Sequence, residues 1–278
     1  MSKRPRLGSA IRLTVAAFRR DNASRFGAAL AFYIVFSIAP TLLIAIAIAG
    51  SLFGRQEAER DILARISGSV GSAAGGAIAA MIKDAATRRV GWLASVLGLM
   101  TLYFGLSGVY RQVDDALHTI WGQKPQQSIG MVRAIRRRLA STLPVIAVGA
   151  VVLLSVAADA AIAVTGRSAA ARLVGGELLW QAAQLLVSTL VLTALFAAVF
   201  RHLAGVTWRD VRLGAAVTAV LFVIGKFALG IYLGKAAVGS AFGAAGSIVV
   251  VLLWSYWSAE IFFFGLEFTH VYAQARVA

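Results

Sequence analysis

The chain has 278 residues, of which 59% are hydrophobic and only 14% charged, and Lys+Arg 27 against Asp+Glu 12 gives a formal net charge of +15. A soluble domain carries about 45–50% apolar residues, so this excess excludes a single water-soluble globule and indicates a lipid-embedded protein. Cysteine is absent, which excludes disulfides and thiolate metal sites.

The chain opens on a basic arm, 1–25, with seven Lys and Arg residues. The apolar run that follows is too long for the cleavable core of a secretory signal. Within the arm Ile11, Val15 and Phe18 share one helical face, while Arg12, Arg19 and Arg20 lie largely off it. Two readings fit, a short helix lying in the headgroup plane or a disordered basic tail.

Six runs are then long enough to cross a hydrocarbon core, which takes about 20 helical residues. They are 26–52, 91–113, 140–165, 178–201, 211–234 and 244–272. None alternates as a barrel strand would, and lipid leaves no water for an open backbone. The expected fold is therefore all-α, a polytopic membrane helix bundle with six transmembrane helices. Its domain would span 26–274, between the arm at 1–25 and a short tail at 275–278.

In the first span Pro40 removes one backbone donor and leaves the Phe36 carbonyl short of a partner, with Ser37 or a water to relieve it. The one long connection, 53–90, begins with an amphipathic stretch in which Ile62, Ile66 and Val70 share a face. It continues with small, soft residues. Amphipathic helices on the membrane surface and a re-entrant pair both fit, with the break expected in the Gly71–Gly76 stretch. Thr101, Gly105 and Gly108 form a small-residue stripe on the second span, Gln181, Gln184 and Ser188 a polar stripe on the fourth, and Gly230 and Gly234 lie four apart on the fifth. Such stripes hold helices together in lipid.

Basic residues set the topology. With the N-terminus inside, seventeen Lys and Arg side chains are cytoplasmic and nine lie outside, with Lys226 inside a span. The positive-inside rule then places both ends in the cytoplasm. Arg133, Arg136, Arg137 and Arg138 form a cytoplasmic cluster suited to anionic headgroups.

A few ionisable residues do not belong in lipid. Lys226 lies about 12 Å from the outer end of its helix at 1.5 Å per residue, inside the apolar zone. A charged side chain there costs at least about 2.5 kcal/mol, so it calls for a partner or a water pocket, unless it snorkels to the outer interface. The candidate partners are Asp159, near the outer end of the third span, and Glu260 on the sixth. Glu260 and Glu267 are seven apart and share a helix face. Glu267 is expected near the cytoplasmic boundary, where water would solvate it. Together with Gln181, Gln184 and Ser188, these residues sketch a polar path for a proton, ion or headgroup.

Enzyme signatures are missing: no Gly-x-x-x-x-Gly-Lys-Ser/Thr, no His-Glu-x-x-His and no Gly-x-Ser-x-Gly. Glu267 and His270 have the Glu-x-x-His spacing of di-iron bundles, but no second copy exists to complete such a site. No metal, cofactor or nucleic-acid partner is expected.

The runs AALAFYIVFSIAPTLL (28–43), DDALHTIWG (114–122) and GSIVVVLLWSYWSAEIFFFGLEFTHVYA (246–273) resemble the YihY/BrkB family of bacterial inner-membrane proteins, once labelled ribonuclease BN or virulence factor. The resemblance runs from about residue 20 to 275. It is carried most strongly by Phe36, Ser37 and Pro40, and by Trp254, Tyr256, Ser258, Glu260, Gly265, Glu267 and Thr269. Leu266 departs from the Ala common in relatives. The resemblance implies an inner-membrane protein with six spans and cytoplasmic ends. It also implies a role in transporting or translocating a lipid or small polar solute, with a non-transporting envelope scaffold as the alternative. Membrane lipids are the expected partners, and homo-oligomers fit as well as a monomer does.

Overall fold

The computed structural model describes residues 7–70, 72–87, 92–122, 176–235 and 246–277. Among these, eight helices account for the secondary structure and no strand occurs. They are α1 (Leu7–Arg20), α2 (Ala23–Phe53), α3 (Arg55–Val70), α4 (Ser72–Thr87), α5 (Trp92–Ile120), α6 (Gly176–Ala204), α7 (Trp208–Lys235) and α8 (Gly246–Val277). Four of them contain segments long and apolar enough to cross a membrane: Ala23–Ile44, Ala182–Ala204, Trp208–Leu233 and Gly246–Ala275. The second predicted span forms α5, which continues past 113 through Asp114 and Asp115 to Ile120. The third, 140–165, lies outside the described residues.

The arm is helical, and the face carrying Ile11 and Val15 is not the one that packs on protein. Ala10, Thr14 and Ala17 are the buried positions of α1, whereas Ile11, Leu13 and Val15 are exposed. Small residues let two backbones approach closely, and in lipid that contact outweighs hiding bulk. The Thr14 hydroxyl donates to the Ala10 carbonyl at 2.8 Å, which keeps the buried oxygen satisfied. Asn22 closes the turn to α2 with a φ of 51°, a left-handed conformation that Asn tolerates better than most residues.

Contacts divide the described residues into two compact units, one drawn from Met1–Val15, Ile120–Val223 and Gly265–Ala278, the other from Ala16–Thr119 and Ile224–Phe264. In the second of these, the core gathers Ile46 of α2, Ala74, Ala77, Ile78 and Ile82 of α4, Leu229 and Leu233 of α7, and Val250 and Val251 of α8. Ile62 and Ile66 of α3 pack against it, while Glu57, Arg60 and Asp61 stay exposed, as the amphipathic reading expects of these residues; the side chain of Val70 lies outside those described. The apolar stretch Ala74–Lys83 is shorter than a span.

α3 ends at Val70 and α4 begins at Ser72, so most of the Gly71–Gly76 stretch expected to hold the break lies inside α4. Gly75 and Gly76 are helical. Gly75 serves a different purpose: a Cβ there would collide with Ser67, including its Cα at 2.5 Å. The hairpin is therefore tight enough for backbone to touch backbone. The small stripe on α5 behaves similarly, since a Cβ on Gly105 would fall 2.8 Å from the Ser37 Cβ and one on Gly108 would enter the Tyr33 ring. Gly230 departs from the expected packing role and meets open space.

Pro40 is accommodated inside α2 without ending it. The Ser37 hydroxyl does not turn to Phe36; it donates to the carbonyls of Tyr33 at 3.0 Å and Ile34 at 3.1 Å, and Thr41 donates to the Ser37 carbonyl at 2.6 Å. A serine side chain reaches back along its own helix, so the carbonyls three and four residues earlier are the ones in range.

In the other unit, α7 and α8 cross on four buried residues. Thr218 seats against Gly265, and Thr269 against Gly214; a Cβ on either glycine would strike the facing threonine. Each threonine donates its hydroxyl to the glycine four residues before it, Thr218 to Gly214 at 2.7 Å and Thr269 to Gly265 at 2.8 Å. The order of these pairs makes the two helices antiparallel here.

Candidate site at the seam of two helices

The C-terminal helix concentrates polar residues in an apolar run, and its spacing decides where they point. Tyr256 and Glu260 are four apart and Glu267 a further seven, so all three lie along one side of α8. In the unit that holds Glu260, α2 receives it. The Ser24 hydroxyl donates to Glu260 Oε2 at 3.0 Å. The other carboxylate oxygen, Oε1, is buried against Gly27 and accepts no hydrogen bond among the described residues; a Cβ at residue 27 would collide with it. Tyr256 brings its hydroxyl to the same pair.

Ser24 and Gly27 are three apart, so one edge of the first two turns of α2 forms the receptor. Two aromatic contacts hold the seam, Phe26 with Phe263 at 6.1 Å and Phe18 of α1 with Phe264 at 6.0 Å. The Arg25 guanidinium lies 5.4 Å from the Phe26 ring centre. Glu260 is thus level with the start of α2, where the amide dipoles of the first turn favour a negative charge by about 0.3–1 kcal/mol.

The partner the structure gives Glu260 is Ser24 on α2 rather than Lys226 on α7. Lys226 is half-buried, next to Gly225, whose α-carbon faces Trp257 so closely that a Cβ would lie 2.5 Å from the indole Nε1. Glu267 departs from the water-solvated position expected of it. Its side chain is fully buried, as are its neighbours Leu266, Phe268 and Thr269, because the end of α8 is enclosed by protein. Nearby His270 packs on Trp121 with the rings tilted by 58° and their centres 4.7 Å apart, and among the described residues no three of His, Cys, Asp and Glu come together as a metal site.

Of the remaining predicted positions, Gln184 and Ser188 are half-buried on α6, which also contains Gln181. Phe36 is exposed and packs on Phe32 with ring centres 4.7 Å apart, while Ser37 and Gly265 are buried. Trp254 packs on the apolar core, and its carbonyl accepts the Ser258 hydroxyl at 2.9 Å. Asp159, Arg133, Arg136, Arg137 and Arg138 lie outside the described residues. Sequence reasoning missed Ser24 and Gly27. The available signal was a small polar and a small apolar residue one turn apart at the opening of a span, a pattern that marks helix contacts in lipid.

Comparison with known proteins gives this architecture a family. The family model described as Virulence factor BrkB matches residues 14–278, and the chain belongs to that family. No curated protein and no solved structure matches it.

Proposed function

We propose that this BrkB-family membrane protein translocates a lipid or small polar solute across a bacterial inner membrane and has no enzymatic activity. In this reading six spans cross the bilayer with both termini in the cytoplasm. The hairpin of α3 and α4 either lies on the outer surface or re-enters the bundle, and anionic headgroups meet the cytoplasmic face at Arg133, Arg136, Arg137 and Arg138.

The observation that carries the reading is the Glu260 carboxylate, held within a membrane-crossing segment by Ser24 and Gly27. An ionisable group in such a segment costs a few kcal/mol, and such groups mark ion, proton or headgroup pathways. Lys226 supplies a second ionisable group in the same unit. One carboxylate oxygen is engaged by Ser24 and the other accepts no hydrogen bond among the described residues, so Glu260 retains acceptor capacity for a passing cation, proton or headgroup donor.

The scaffold reading uses the same hydrogen bond as helix-to-helix glue. Reconstitution in sealed vesicles separates the two. Glu260→Gln and Lys226→Met should abolish movement of a fluorescent lipid analogue or polar solute while leaving folding and insertion intact. Transport that persists in both variants removes the polar path, and a wild-type protein that moves no cargo tested leaves the scaffold as the better reading.

A further inference from the structure

The turn between α6 and α7 joins the membrane-crossing segments Ala182–Ala204 and Trp208–Leu233, which puts residues 205–207 at a membrane boundary. Its backbone is tightly built. Gly205, with φ 63°, ends α6 and donates its amide to the Arg201 carbonyl at 3.0 Å. Thr207 then starts α7, its carbonyl accepting from the amides of Asp210 and Val211.

The side chains of this turn are sorted by chemistry. Val211, Gly214 and Ala215 are buried. Arg201, His202, Arg209 and Arg212 are exposed, and Trp208 is 44% exposed. The Arg201 guanidinium lies 4.4 Å from the Trp208 ring centre, which fixes one cation beside an amphipathic indole. Between residues 201 and 213 the sole acid is Asp210, and it accepts the Thr207 hydroxyl at 2.5 Å as part of the helix start. Exposed Leu213 adjoins Arg212.

We propose that this turn is a binding surface for the phosphate headgroups of anionic lipids. Three arginines against one engaged aspartate provide the charge, and guanidinium groups match phosphate oxygens with two parallel donors. Stacking on Trp208 pre-orders Arg201, so less side-chain freedom is lost when phosphate binds. Tryptophan itself prefers headgroup depth. Leu213 and the indole offer apolar contact that a water-soluble polyanion does not use, and this favours a lipid leaflet over nucleic acid. The proposal holds whether the protein translocates cargo or organises partners.

The chain has no cysteine, so Val206→Cys gives the full-length protein a single thiol for a fluorophore at the turn. The reconstituted protein is then exposed to phosphatidylglycerol or phosphatidylcholine carrying a headgroup quencher. Phosphatidylglycerol should quench at least about fivefold more strongly, since each basic residue at the surface contributes about 1 kcal/mol. That preference should fall with added salt, vanish in Arg201→Gln/Arg209→Gln/Arg212→Gln, and survive in the corresponding triple Lys variant. Equal quenching by the two lipids overturns the proposal, as does a preference indifferent to salt or intact in the triple Gln variant. If the Gln variant does not fold, the salt titration on the parent protein decides.

Discussion

Thr218 of α7 rests directly on Gly265 of α8, and each residue belongs to a Gly-x-x-x-Thr segment that reads the same in both helices. Gly214 to Thr218 and Gly265 to Thr269 interlock antiparallel, so one contact is made twice. Each threonine satisfies its hydroxyl on its own helix. Each hydroxyl oxygen also faces the opposite glycine, where only a residue without a Cβ leaves room for it.

The first prediction follows from that crossing. Gly265→Ala should destabilise the protein by about 1–3 kcal/mol, the usual range for overpacking a filled contact. Thr218→Ala removes the obstructing atoms, so the double variant should recover much of the loss. Equilibrium unfolding in micelles reads the coupling. Strictly additive effects would count against direct contact.

Removing the Ser24 hydroxyl should cost about 1.5–3 kcal/mol, the range for a hydrogen bond to a charged group. Ser24→Ala in a Glu260→Gln background should cost clearly less, because the charge is gone. Gly27→Ala should resemble the loss of Ser24, since its methyl group displaces the same carboxylate. Thermal melts of the parent protein and these four variants provide the comparison.

Two adjacent glycines in α4 should respond in opposite directions. Gly76 meets open space, so Gly76→Ala should stabilise by about 0.5–1 kcal/mol through helix preference alone. Gly75→Ala gains the same preference but drives a methyl group into the Ser67 backbone, and the net effect should be a loss. Equal melting shifts for the pair would sink the tight hairpin.

At the junction of α1 and α2, Asn22→Gly should be near neutral, whereas Asn22→Val should cost about 1–2 kcal/mol for holding a branched residue at φ 51°. Limited proteolysis of the arm offers a second readout, with cleavage between α1 and α2 expected to rise only in the Val variant.

Much of this architecture was legible in the sequence, and most of what was not shares one cause. Long apolar runs announced α2, α5, α6, α7 and α8, because lipid demands continuous helices. What the runs did not disclose was which side faces protein. In α1 the periodicity of Ile11, Val15 and Phe18 marks an apolar face but not the side that packs on protein, which is Ala10, Thr14 and Ala17. When the solvent is itself apolar, bulk carries no inward signal and smallness does. The same logic hid Ser24 and Gly27 as the receptor of Glu260, while Gly105 and Gly108 were found because small spacing was read directly. Glu267 is a separate case: nearness to a helix end does not give access to water when every residue of that stretch, Leu266 to Thr269, is buried.

The core that seats Ile82 of α4 against Leu229, Leu233 and Val250 also sets an order of events on the ribosome. The hairpin leaves the ribosome about 170 residues before its last neighbours exist. At about 5–20 residues per second that is a wait on the order of ten to thirty seconds. Throughout it the apolar face of α4 has α2 and α3 beside it and no α8. A newborn chain must therefore park this hairpin at the bilayer, or in the grip of its insertion machinery, until the final helix arrives to close over it.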